Sequence, residues 1–247
     1  MSHDRADDVI MPGWRTDGVI VPGWRTIGVI GGMGPAATAD FLGLLVAGVP
    51  AARDTDHPRV LIDSNPHVPD RNAAALHGAA SPGPALAAMA HGLVRQGAEV
   101  LAMPCNAAHG WAAAITAAPF VSMIDAAVAE AMAYCPQAIG VLGVGATLAL
   151  DLYGKASPVP VLAGDLGVVQ PAVNAIKAGD TGAAVRLALA GEAARLRDAG
   201  AEVIIAACTE VPLVLRAGDV PLPLINSTAA LARATLAAAR LPDRVAP

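Results

Sequence analysis

Two stretches of the sequence each place a thiol at the end of an apolar run. The first, MPCNAAHG at 103–110, has Cys105 between Pro104 and Asn106. The second, IIAACTEV at 204–211, has Cys208 ahead of Thr209. A thiolate can take a proton from carbon, and a thiol can return one, near neutral pH. Two such sites in one chain suggest a pair. A thiol where a strand meets a helix start is stabilised as thiolate by the helix dipole and free N–H groups. The position predicts a pKa lowered from about 8.5 toward neutrality. The competing reading is a buried, inert cysteine. Both thiols stand where the apolar run stops and polar residues begin, which favours chemistry. Cys135, in AEAMAYCPQ, has no polar constellation around it and reads as structural.

Other residues could complete a site. GGMGPAAT (31–38), with Met33 inside it, is a Gly-rich turn that can bring backbone N–H groups to an anion, or serve packing alone. It fits neither the dinucleotide nor the nucleotide glycine loop. DSNPHVPDRN (63–72) contains Asn65 and Arg71; the guanidinium could clamp a carboxylate, or simply be solvated. Lys177, in AIKAGD, is either a cationic ligand or a favourable charge at a helix end. His109 comes four residues after Cys105 and could share its face. His57, His67, His77 and His91 are scattered without metal partners, and no CxxC occurs, so no metal site is expected.

These residues need elements to hold them. IGVIGG, RVLID, AEVLAM, AIGVLG, VPVLAG, AEVIIA and LPLIN read as short strands. Between them lie helical stretches, such as PALAAMAHGLVRQG with Leu86, Met89 and Leu93 on one face. Alternation of this kind predicts parallel sheets with helical crossovers, whose strand ends gather on one ligand-binding edge. The expected class is α/β. The thiols lie 103 positions apart, which suits two lobes facing across a cleft. Lobe one is expected over 26–118 plus 223–247, and lobe two over 119–222. Residues 1–25 read as an extension carrying a ten-residue duplication, VIMPGWRTDG (9–18) then VIVPGWRTIG (19–28), too short to be an array.

Composition narrows the function classes. The chain has 247 residues, 55% hydrophobic but only 3% aromatic, and a net charge of −5. There is no basic run, so no nucleic-acid partner is expected. Mean hydropathy is +0.52, yet alanine inflates it, and no apolar run of about 18 residues argues for a membrane span. The N-terminal MSHDRADD lacks the pattern of a secretory signal. An odd count of three cysteines suits a reducing cytoplasm.

Taken together, IGVIGGMGPAATADF, DSNPHVPDR, MPCNAAH, AIKAGD and ACTEVPLVL resemble the cofactor-independent aspartate/glutamate racemase family, closest to its aspartate branch. The resemblance spans about Ile27 to Leu241. It implies two similar lobes, each a parallel sheet flanked by helices, with the active site between them, and a homodimer. It implies Cys105 and Cys208 as the acid/base pair, with no cofactor and no pyridoxal phosphate. Arg71 and Lys177 would meet the second carboxylate of an acidic amino acid. Asn65, Asn106 and Thr209, with Met33 of the turn, would complete substrate binding. Ala107 departs from the family threonine, and Leu150 and Asp151 from serine and glycine. The rival readings are a hydantoin racemase or maleate isomerase-like enzyme, and a binding protein without turnover.

Overall fold

A computed structural model describes residues 23–242. The first copy of the duplication and the start of the second lie outside the described residues. The first half runs β1 (Ile27–Gly31), α1 (Pro35–Ala47), β2 (Val60–Ser64), α2 (Arg71–His77), α3 (Gly83–Arg95) and β3 (Val100–Ala102). A 3₁₀ segment (Ala107–Ala114), β4 (Phe120–Val121) and α4 (Met123–Met132) come next. The second half runs β5 (Ile139–Gly143), α5 (Gly145–Ala149), α6 (Leu152–Ala156), β6 (Val161–Ala163), α7 (Leu166–Lys177), α8 (Ala183–Asp198), β7 (Val203–Ala207), α9 (Val211–Val214), β8 (Leu224–Asn226) and α10 (Ser227–Ala239). Among the described residues no helix is long and apolar enough to cross a membrane.

The strands form two four-stranded parallel sheets, ordered β2-β1-β3-β4 and β6-β5-β7-β8. The two orders are the same, so the α/β lobes repeat one plan. The repetition is written into short stretches: IGVIG in β1 and IGVLG in β5, and GAEV at 97–100 and 200–203 leading into β3 and β7. Gly97 and Gly200 both take left-handed backbone, φ 102° and 104°, where a side chain would be strained. The Glu99 carboxylate accepts the N–H of Thr26 at 2.8 Å, and Glu202 accepts that of Gln137 at 2.8 Å. Each pair pins the loop before a central strand to the start of its neighbour.

Gly28 and Gly140 occupy the second position of β1 and β5. A Cβ on Gly28 would stand 2.8 Å from the Ala98 Cβ and 2.7 Å from Leu101. On Gly140 it would stand 3.2 Å from the Ala201 Cβ and 2.6 Å from Ile204. Missing side chains thus let the turn after α3, and its equivalent after α8, close onto the sheet.

Three features differ from expectation. β4 was not anticipated, because two residues make no periodic signal. The lobe boundaries also shift: β4 pairs with β3 in the first sheet, while β8 pairs with β7 in the second. The break at 118/119 puts β4 in the wrong lobe, and the return at 223 does the same for β8. The helices after them cross over. α4 buries Ile124, Ala127, Val128 and Ala131 among β5 and β7, whereas α10 buries Leu231, Ala232, Leu236 and Ala239 against Phe41 and Leu45 of α1. Finally, the extension does not reach residue 25. Trp24 bridges Arg240, and its indole N–H donates to Asp56 O at 3.0 Å. Arg25 donates to Ala238 O at 2.6 Å.

His109 joins the end of β3 to α4. Its Nε2 accepts the N–H of Met123 at 2.9 Å, so Nδ1 carries the hydrogen and donates to the Cys105 carbonyl at 2.8 Å. Burial pushes the imidazole down to about 4, and the neutral ring clamps the Cys105 loop.

This packing makes two effects measurable. Gly28→Ala should cost about 1–3 kcal/mol in denaturant unfolding. Gly140→Ala should cost less, because the rigid Ala201 Cβ stands off at 3.2 Å, against 2.8 Å for Ala98, and only the flexible end of Ile204 comes closer than 3.0 Å. His109 binds its proton less well folded than unfolded, where the pKa is about 6.5. Its contribution is full above that value and fades as pH falls toward 4. Unfolding free energy should therefore drop by up to about 3 kcal/mol across that window, and His109→Gln should lose this part of the slope.

Candidate active site

Both sheets end at one cleft. The first lobe supplies Met33 at the start of α1, Asp70, Arg71 and Asn72 at the start of α2, and Cys105, Asn106 and Ala107 after β3. The second supplies Val144 after β5, Lys177 closing α7, and Cys208, Thr209 and Glu210 after β7. The thiols hold equivalent places, each past the strand next to a central glycine strand. With about 40 Å³ of free space, the cleft is tight. Cys105 and Cys208 are 5% and 6% exposed.

The expectation of lowered thiol pKa values is not met in this cleft. Burial pushes Cys105 up, while the Arg71 charge and the Ala108 N–H pull it partly back. Cys208 is raised well above its ordinary value, by burial first and then by the Glu210 carboxylate. The element after each thiol supplies little to offset burial. Cys105 leads into a 3₁₀ segment and Cys208 into a four-residue helix, so neither meets a strong helix dipole.

Cys208 has a direct partner. Its Sγ–H donates to Glu210 Oε2 at 3.0 Å, and the Thr209 hydroxyl donates to the same oxygen at 3.1 Å. Lys177 Nζ lies 3.9 Å from the other oxygen. Cys105 has the Arg71 cation in place of a carboxylate. One Arg71 nitrogen, Nη1, donates to the Val68 and Pro69 carbonyls, each at 3.1 Å; this holds the head beside the cleft.

Asn106 is committed to structure on both ends of its amide. Its oxygen accepts the Tyr153 hydroxyl at 2.6 Å, and its nitrogen donates to Ser227 at 3.1 Å. Ser227 in turn donates to Ala206 O at 2.7 Å. One amide hydrogen is left for a ligand. Burial raises Tyr153, which keeps it the donor. Asn72 ties the lobes together: its oxygen accepts the Ala146 N–H at 2.8 Å, and its nitrogen donates to Gln170 at 3.3 Å.

Of the expected site residues, Met33, Arg71, Lys177, Asn106, Thr209, Cys105 and Cys208 share the cleft lining. Asn65 does not: its oxygen accepts the His67 N–H at 2.9 Å within its own loop, and the backbone of Gly32 packs against it. Cys135 is exposed, away from the cleft. Asp151 takes φ 49°, a left-handed position that aspartate tolerates. Sequence reasoning passed over Asn72, which carries no motif, and Glu210, although the CTE triplet contains it. Among the described residues no group of three or more His, Cys, Asp or Glu side chains is placed to hold a metal ion.

Comparison with known proteins agrees with this fold. The family profile described as Asp/Glu/Hydantoin racemase matches residues 30–235. The solved aspartate racemase of Picrophilus torridus is 28% identical with a TM-score of 0.80, covering 88% of this chain and 96% of that one. An aspartate racemase homologue from Pyrococcus horikoshii is 20% identical, TM-score 0.69, covering 87% and 99%. Glutamate racemase from Francisella tularensis, solved with D-glutamate, is 19% identical, TM-score 0.62, covering 85% and 78%; these two likenesses speak to the fold. The chain belongs to the Asp/Glu/Hydantoin racemase family and is an amino-acid racemase.

Proposed function

We propose that this racemase inverts the α-carbon of an acidic amino acid, aspartate or glutamate, with Cys105 and Cys208 as proton carriers on opposite faces. The observation that carries the reading is one thiol at the same strand end of each lobe, both lining one cleft. One thiol, as thiolate, takes the α-proton. The other, as thiol, returns a proton to the far face. The reverse reaction exchanges their roles, so each must serve in both forms.

Without a cofactor as electron sink, the carbanion is stabilised by hydrogen bonds and positive charge at the α-carboxylate. The free amide hydrogen of Asn106 stands in the lining for this, and the Thr209 hydroxyl joins it by turning its hydrogen from Glu210 to the substrate. Arg71 from one lobe and Lys177 from the other are the cations for the second carboxylate, which favours acidic over neutral substrates. The similarity to a protein named aspartate racemase supports the same substrate class. His109 holds Cys105 in place from behind, through its carbonyl. The reading also takes the enzyme to be a cytoplasmic homodimer.

Racemisation of L-aspartate and L-glutamate, measured beside L-alanine and a hydantoin, should show turnover of the acidic substrates. Turnover of the hydantoin alone would overturn the substrate class. Cys105→Ser and Cys208→Ser should each lower racemisation by roughly 10²–10⁴-fold. In D₂O each single variant should still exchange the α-proton of one enantiomer, and the preferred enantiomer should be opposite in the two. Preference for the same enantiomer would place both thiols on one face. Arg71→Ala should reduce kcat/KM for aspartate far more than for alanine, since a charge-assisted pair worth a few kcal/mol is lost only with the former. Equal losses would mean that Arg71 holds something common to both.

A further inference from the structure

Glu210 is a buried ionisable residue of the cleft that the two-thiol reading leaves without a task; Asp70, also in the lining, caps α2 by accepting the Ala73 N–H at 2.6 Å. Glu210 is 5% exposed. One carboxylate oxygen accepts both the Cys208 thiol, at 3.0 Å, and the Thr209 hydroxyl, at 3.1 Å. The other faces Lys177 at 3.9 Å. The remaining titratable groups around it are Asp70 and Arg71 at the start of α2, Tyr153 on α6, and Cys105. The two lobes repeat one plan, so Cys105, Asn106 and Ala107 stand in the places of Cys208, Thr209 and Glu210. Only the second lobe has a carboxylate there; the first has a methyl group and, facing its thiol, the Arg71 cation.

This difference decides how each thiol can ionise. A Cys208 thiolate beside a Glu210 carboxylate would set two negative charges about 3 Å apart with both groups buried, which is strongly unfavourable. The thiol–carboxylate hydrogen bond removes the conflict if the pair always keeps at least one proton.

We propose, resting on the two-thiol reading above, that Cys208 and Glu210 carry protons as one unit that alternates between one and two. When Cys208 acts as base, its S–H bond breaks, an O–H bond forms on Glu210, and the electron pair stays on sulfur. The thiolate then takes the α-proton, and the unit holds two. When Cys208 acts as acid, it gives its proton to the carbanion while Glu210 keeps the other. That proton then passes back to sulfur, which restores S–H donating to the carboxylate. Lys177 balances the one-proton state. Cys105 has no carboxylate bonded to its sulfur; the Arg71 charge favours its thiolate and the Glu210 charge opposes it more weakly. Enantiomers have equal free energy, so overall kcat/KM is equal in both directions, and the asymmetry appears only in titration and in single-sided reactions.

The test is thiolate titration by ultraviolet absorbance in the full-length protein carrying Cys135→Ser, with either Cys105→Ala or Cys208→Ala to isolate each thiol. Glu210→Gln should lower the Cys208 midpoint by at least about one pH unit, a ten-fold change in thiolate. It should move the Cys105 midpoint less. In the two-thiol enzyme it should bring the alkaline fall of the rate to lower pH. Glu210→Asp, which keeps the charge, should restore much of both. An unmoved Cys208 midpoint, with both cysteines still required for racemisation, overturns the shared unit alone. Normal racemisation by Cys208→Ala overturns the two-thiol reading. If Glu210→Gln fails to fold, the infrared S–H stretch decides the matter in protein with Glu210 intact. A Cys208 band lowered by a strong acceptor supports the unit, and one at the position of an unbonded thiol overturns it.

Discussion

The close approach permitted by Gly28 and Gly140 sets the depth of everything at the cleft. In each lobe a helix-to-strand turn rests directly on the central strand, with Ala98 and Ala201 where larger residues would not fit. β3 and β7 leave those turns, so their ends, and the thiols just beyond, emerge at matching heights on the two sheets. Interiors are packed tightly enough that a methyl group in such a place is felt through the sheet. Placement of the thiols is therefore a property of backbone packing more than of any contact the sulfurs make.

The lobes match in backbone and differ in chemistry. Arg71 faces one thiol and Glu210 the other, and burial raises both. A tight, buried cleft strengthens each of these interactions. Proton transfer to and from carbon needs that strength, because water would otherwise compete for every charge. The tie between Asn72 and the start of α5, and the Tyr153–Asn106–Ser227 chain, hold the lobes in register at their shared edge. Polar residues here carry structure and site together, which explains why Asn106 offers so little of its amide to a ligand.

Much of this was legible in the sequence, and the gaps have physical causes. Apolar runs such as IGVIG and VIIAA announce buried parallel strands because both faces are covered. The repeated passage from apolar run to thiol announced the site. β4 escaped because two residues have no period, and the crossing of β4 and β8 escaped because strand partners are set by tertiary packing, which local pattern does not record. Asn65 falls outside the cleft lining because a polar residue in a loop can equally well bond its own backbone. The direction of the thiol shifts was misjudged for a related reason: burial depends on the opposite lobe, which the local stretch does not contain. Glu210 stood in plain view two residues after Cys208, but only the folded distance shows it bonded to the sulfur.

The crossing of the chain between lobes has a consequence for how the protein is made. Among the described elements α10 comes last in the chain, yet it covers the face of the first sheet lined by Ile27 and Val29, beside Phe41 of α1. α4 has by then already gone to the other lobe. The half of the molecule that leaves the ribosome first is thus the half that closes last. Its apolar face must wait, through synthesis of the whole second lobe, for residues 227–239 to arrive. Domains usually complete in the order of translation; here the first lobe is an open acceptor until the end. A chain cut short before Ser227 would lack the helix that covers this face, even though every strand of both sheets had been made.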